Sequence, residues 1–220
     1  MMQFHTTMHP LFKYQKTVSP SPPDDNYTFL FADDTSMIIT NPNPSNFEKC
    51  VNKIIQDINE WFNTNLLSLN LDKTHFIHFV TKNSSSIYFI IHGNKKIANV
   101  YNTKFLGLAL DNRLYWRTHI DTIIPKLSSA SFALGVVKTF LSLDSLKMVY
   151  YSYFHSVMTY GLIFWGNSHQ HNIMFRLQKR IIRIIVGIRG RESCRDHFKN
   201  LKILLLQSQF TIFTFAFCDR

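Results

Sequence analysis

Two adjacent carboxylates, Asp33 and Asp34, interrupt the apolar, β-prone stretch YTFLFADDTSMII (Tyr27–Ile39). Side by side they repel, which water tolerates in an exposed turn and a divalent cation can exploit. Mg²⁺ prefers carboxylate and phosphate oxygens together. Two such ions can position a 3′-hydroxyl and stabilise a leaving pyrophosphate. Taken alone, an Asp-Asp pair is also common in solvated turns, where it accepts backbone hydrogen bonds. Further along, Lys73 lies in NLLSLNLDKT (Asn65–Thr74) and reads either as a cation beside a polyphosphate or as an exposed lysine at a strand start. Arg176, Lys179, Arg180 and Arg183 recur at i, i+3, i+4 and i+7, one face of a helix. Such a face is either solvated or a row of phosphate contacts. The three cysteines, Cys50, Cys194 and Cys218, form no disulfide framework, and Cys194-x-x-His197 supplies only half a zinc set. His75, His78 and His92 read as ordinary surface or core histidines.

The elements that must position these groups change character along the chain. Residues 1–26 lack periodicity, and Ser19-Pro20-Ser21-Pro22-Pro23 reads as loop or disorder. Tyr27–Phe31 and Ser36–Thr40 predict two strands of a tight hairpin, with Ala32–Thr35 at the turn. Asn41-Pro42-Asn43-Pro44 ends the second strand, and Ser45 with Glu48 has the spacing of a capping box. Phe47, Val51, Ile54, Ile55 and Ile58 then predict one amphipathic helix ending near Asn63–Asn65. A turn and a strand over Leu69–Val80, a hairpin around Gly93-Asn94 and a short strand over Thr103–Leu110 follow. From Trp116 the pattern turns helical, with helices expected over 116–138, 143–165 and 170–187 and a shorter one near 193–200. The fold class expected is α+β, with residues 1–26 apart, a β-rich region over 27–112 and a helical region over 113–220.

Charge divides the same way. Residues 1–100 hold eight Lys, no Arg and eight acidic residues, whereas 101–220 hold sixteen basic against six acidic, which is the whole net charge of +10. A polyanionic partner suits that half. The opening MMQFHTTMHP lacks the pattern of a secretory signal. The apolar run Met148–Trp165 is broken by Ser152, His155, Ser156 and Thr159, so a buried helix is expected there rather than a membrane span. With unpaired cysteines, an intracellular setting, nuclear or cytoplasmic, is expected.

Taken in order, these segments resemble the reverse transcriptases of non-LTR (LINE-like, jockey-type) retrotransposons. Phe31-Ala32-Asp33-Asp34 resembles the family's YADD box, with Phe in place of Tyr. Asn65–Thr74 resembles its N-x-L-x-L-N-x-x-K-T segment, and Lys104-Phe105-Leu106-Gly107 its K-F-L-G primer-grip turn. Trp116-Arg117-Thr118-His119-Ile120 resembles the start of the thumb, and Tyr160-Gly161, Leu177–Arg180 and Ser193–Arg195 continue the likeness, which covers about residues 27–210. The resemblance implies a partial palm of antiparallel hairpins and one helix, followed by a helical thumb. It implies Mg²⁺ or Mn²⁺ held by Asp33 and Asp34, Lys73 beside the incoming nucleotide, and an RNA template with a DNA primer as partners, without a membrane. Arg176, Lys179, Arg180 and Arg183 would grip the duplex. The family also uses an Asp on a separate upstream strand and an S-x-G-x-P-Q-G segment. Neither stands among the 32 residues before Asp33, whose only acidic pair, Asp24-Asp25, is in the Pro/Ser loop. The chain is therefore expected to be a piece truncated on its 5′ side and inactive alone. It would be a nucleic-acid-binding remnant or a mis-started reading frame without function. A hairpin stripped of its partner strands is also expected to expose a sheet edge.

Overall fold

In the computed structural model the chain divides into two units, Met1–Thr103 and Lys104–Arg220. Residues 2–8, 27–31, 34–40, 43–80 and 88–218 are described, with backbone alone for 2–8, 28, 30, 31, 34 and 44. Helices and strands are mixed throughout, so the fold is α+β.

The first unit is a sheet under one helix. Its strands are β1 (Met2–Met8), β2 (Tyr27–Phe31), β3 (Asp34–Ile38), β4 (Leu67–Phe76) and the short β7 (Ala98–Asn99), after a small hairpin of β5 (Ile91–His92) and β6 (Lys95–Lys96). The spatial order is β2-β3-β1-β4-β7. All neighbours are antiparallel except β4 and β7, which are parallel. β2 and β3 form the expected hairpin, but Phe31 pairs with Asp34, so the connection is only Ala32-Asp33 and β3 starts earlier than anticipated.

β1 corrects the expectation of an aperiodic opening segment, because it fills the middle of the sheet. Met2, Phe4 and Met8 do alternate with Gln3, His5 and Thr7, the period of a strand. Because β1 pairs with β3, the edge expected on this hairpin falls on β2 alone. The loop expected at Ser19–Pro23 lies outside the described residues.

The helix α1 (Pro44–Thr64) packs one face on this sheet. Val51, Ile54, Ile55, Ile58 and Phe62 meet Met37, Phe76, Ile90 and Ile97 in a buried cluster. Its cap is Asn43, whose Oδ1 accepts the Ser45 N–H at 3.1 Å, with Pro44 in the first turn where its missing N–H costs nothing. Ser45 is thus not the cap. Glu48 reaches outward instead, accepting the Phe89 N–H at 2.9 Å.

A ribbon of β8 (Asn102–Phe105), within which the second unit begins at Lys104, and β9 (Leu108–Asp111) comes next, where one strand was expected. Helices α2 (Arg117–Val137), α3 (Leu143–Val149), α4 (Ser156–Thr159), α5 (Leu162–Trp165), α6 (His171–Val186), α7 (Arg195–Asn200) and α8 (Leu206–Cys218) follow, with a π-turn over Tyr150–His155 between α3 and α4. The apolar run Met148–Trp165 is therefore several short helical pieces, with Gly161 at φ +63° between α4 and α5. Length and apolarity would let α2 cross a membrane, but Ile120, Ile123, Leu127, Ala130 and Leu134 bury one face of it in the core. There they join Tyr150, Phe154, Trp165, Met174, Ile181 and Ile182. α8 had no counterpart in the sequence reading.

Candidate nucleic-acid and metal site

The acidic hairpin and the Lys73 segment flank one strand. His5 of β1 is paired with Asp34 on one side and with Asn70 of β4 on the other. Backbones two strands apart are about 10 Å from each other. Beyond this row the register breaks. Gln3 pairs with His75, so Leu71–Thr74 stand opposite the single residue Phe4, and β4 bulges. Asn70 holds the bulge closed: its Oδ1 accepts the Lys73 N–H at 3.3 Å and its carbonyl accepts the Thr74 hydroxyl at 2.7 Å. Lys73 is exposed on this bulge. Its neighbour Asp72 is drawn away, bridged to Lys95 at 2.8 Å. The N-x-x-K-T spacing thus has a local cause, since Asn70 must reach the amide of the residue three places on. Asp33 lies outside the described residues, and of Asp34 only the backbone is described.

Two Mg²⁺ ions need more oxygen ligands than neighbouring carboxylates on one turn supply. β1, the strand beside β3, contains no Asp or Glu. Among the described residues, no group of three or more His, Cys, Asp or Glu is placed to hold a metal. The donor set among the described residues does not fit a two-ion centre. The Cys194-x-x-His197 pair gains nothing either, because Cys194 is buried in the apolar core of the second unit.

Lys104–Gly107 forms the ribbon's turn. Leu106 and Gly107 both have positive φ, +46° and +79°, as a two-residue hairpin connection requires. Lys104 and Leu106 are exposed and Phe105 is half-buried. Tyr160 braces this turn from below. Its hydroxyl donates to the Leu106 carbonyl, and a Cβ on Gly107 would lie 3.2 Å from its Oη. Tyr160 is held in turn by its own carbonyl, which accepts the Trp165 indole N–H at 2.9 Å. At the next residue, a Cβ on Gly161 would meet Leu108 Cδ2 at 2.5 Å, so the chain and ribbon touch where only glycine fits.

The four cations of α6 divide into two kinds. Arg176 and Arg180 are exposed. Lys179 lies over the Phe175 ring at 4.5 Å, a cation–π contact. Arg183 donates from Nε and Nη2 to the Glu192 carbonyl at 3.1 and 3.0 Å. The opposite face buries Met174, Gln178, Ile181, Ile182 and Ile185, and Leu177, Ile173 and Ile184 are only half-buried. The hairpin and Lys73 belong to the first unit, and the ribbon turn and α6 to the second.

Two residues that position the ribbon carried no role in the sequence reading. Asp111 accepts three backbone N–H groups, from Arg113 at 3.1 Å, Tyr115 at 2.9 Å and Trp116 at 2.7 Å. It thereby steadies a bend with Leu114 and Trp116 both at positive φ. His119, buried in α2, accepts the Ala109 N–H on Nδ1 at 3.4 Å. Its proton then sits on Nε2, which has no hydrogen-bond partner among the described residues. Burial, and secondarily the Lys126 charge, hold its pKa below 6.5. The spacing D-x-x-x-x-W-x-x-H was the available signal.

No family model, curated protein or solved structure matches the chain.

Proposed function

We propose that this chain is the hairpin-to-thumb portion of a non-LTR retrotransposon reverse transcriptase. The parent reaction is RNA-templated DNA synthesis by two-metal phosphoryl transfer, and these 220 residues alone do not perform it. The observation that carries the reading is the order of F-A-D-D, N-L-L-S-L-N-L-D-K-T, K-F-L-G and W-R-T-H-I along one chain. The row Asp34–His5–Asn70, with Lys73 on the adjoining bulge, supports it, because both chemistry-bearing segments then flank one strand. The braced Lys104–Gly107 turn supports it as a presented loop. The expected inactivity is supported by β1, the strand beside β3, which carries no carboxylate.

The test is a chimaera in which residues 27–210 replace their counterparts in an active non-LTR reverse transcriptase. Primer extension that Asp33→Ala abolishes is expected. A folded but silent chimaera, or extension that survives Asp33→Ala, overturns the reading. The purified chain alone should give no templated extension with Mg²⁺ or Mn²⁺.

A second reading, nucleic-acid binding without catalysis, is favoured by the exposure of Arg176 and Arg180 in the basic second unit. Phosphate contacts there would make affinity fall with salt and be indifferent to sequence.

A further inference from the structure

Beyond α6 the chain makes a turn closed on itself in both directions. The Glu192 N–H donates to the Arg189 carbonyl at 3.1 Å, and the Arg189 N–H donates to Glu192 Oε1 at 3.2 Å. The Arg183 guanidinium clamps the same Glu192 through its carbonyl. Gly187, at φ +87°, ends α6 just before the turn, with its N–H donating to the Arg183 carbonyl at 2.8 Å. Arg183 thus touches both ends of the connection from α6 into the turn.

The tip this builds is Arg189-Gly190-Arg191, all exposed. A Cβ on Gly190 would meet nothing within 4 Å. The Glu192 carboxylate is turned back on the Arg189 amide, so the acidic side chain nearest the tip is engaged within the turn. Residues 171–202 hold nine Lys and Arg against two acidic residues, so charge here favours a polyanion.

We infer that Arg189-Gly190-Arg191 is a phosphate-binding tip for a nucleic-acid duplex, and that Arg183 positions it rather than touching phosphate itself. This rests on the proposed nucleic-acid function and replaces one member of the expected four-cation stripe. The bare Gly190 between two arginines lets a sugar–phosphate chain approach the backbone, and the clamp keeps both arginines on a short, closed turn. Arginine suits this work because its planar fork can take two phosphate oxygens at once.

The experiment is fluorescence-anisotropy titration of the full chain with a labelled RNA–DNA hybrid over a range of NaCl concentrations. For Arg189→Gln with Arg191→Gln, the slope of log affinity against log salt should fall by about 2, roughly 0.9 for each phosphate no longer neutralised. Gly190→Leu should leave thermal unfolding unchanged, since the site is open, yet weaken binding at least about five-fold by obstructing the approach. Arg183→Gln should weaken binding while altering the slope by less than the double variant does. If the wild type binds and the tip variants match it while Arg176→Gln with Arg180→Gln loses affinity, the tip inference falls and the α6 reading stands. If the wild type fails to bind the hybrid even at low salt, both fall.

Discussion

The Tyr160 hydroxyl donates to the carbonyl of Leu106, at the tip of the Lys104–Gly107 turn and 54 residues away in sequence. The bond sits over a glycine whose missing side chain makes room for the same ring. Tyr160→Phe should keep the packing and lose the bond, costing about 1 kcal/mol. Faster amide hydrogen exchange across 105–108 would register it. Unchanged exchange there would show that the turn stands without its brace. Gly107→Ala should cost more, about 1–2 kcal/mol, from its φ of +79° together with the crowding against Tyr160.

Gln178 ties the end of the chain to α6. Its side-chain amide donates to the Leu204 carbonyl at 2.9 Å, and its oxygen accepts the Leu206 N–H at 2.9 Å. Gln178→Leu would leave the buried Leu206 N–H without this acceptor, whereas the Leu204 carbonyl keeps the Gln209 amide at 2.9 Å. A loss of about 2–3 kcal/mol is expected in urea unfolding, with early release of α8 in limited proteolysis.

Asp111 offers a graded pair of variants. Asp111→Ala removes all three accepted hydrogen bonds and should cost about 2–4 kcal/mol, because the amides of the bend then lose a charged partner. Asp111→Asn keeps one oxygen, enough for the Arg113 and Tyr115 amides that share Oδ1, and should cost about half as much. Equal losses by chemical denaturation would mean that charge, not the number of accepted bonds, holds the bend.

Acid should loosen the second unit. Burial lowers the pKa of both His119 and His155. A histidine held neutral when folded but free to charge when unfolded binds fewer protons in the folded state. Stability is then complete above the unfolded value of 6.5 and is lost as pH falls from there toward the lowered folded values. Protonation at Nδ1 would also set a donor against the Ala109 N–H. The thermal midpoint should drop between about pH 7 and pH 5, and His119→Gln should flatten that dependence. An unaltered slope would remove His119 from the account.

Local chemistry was legible in the sequence, and long-range partnership was not. The end of α1 and the positions of α2, α6 and α7 followed from apolar spacing. The α1 cap is Asn43 rather than the expected Ser45, and Asn43-Pro44 does carry the stronger signal, a cap followed by a proline already set for the first turn. Glu48 could not have been placed, because its partner is 41 residues distant. β1 alternates over only seven residues and gains its place from strands on both sides. At the candidate site the β2–β3 hairpin and the helix that carries Arg176, Lys179, Arg180 and Arg183 were expected. That Arg183 is drawn to a main-chain carbonyl beyond the helix was not, since periodicity specifies a face and says nothing of what folds back onto it.

The π-turn at Tyr150–His155 acts as a phase shifter. An α-helix advances about 100° per residue, and a π-turn carries one residue more than the α-helical turn it replaces. The surplus sets the azimuth of everything downstream, from the stacked Tyr150 and Phe154 rings, 5.6 Å apart, to Tyr160 under the ribbon. Winding the same six residues, 150–155, as regular α-helix would swing Tyr160 about a quarter-turn from the carbonyl it serves. The better helix would be the worse scaffold.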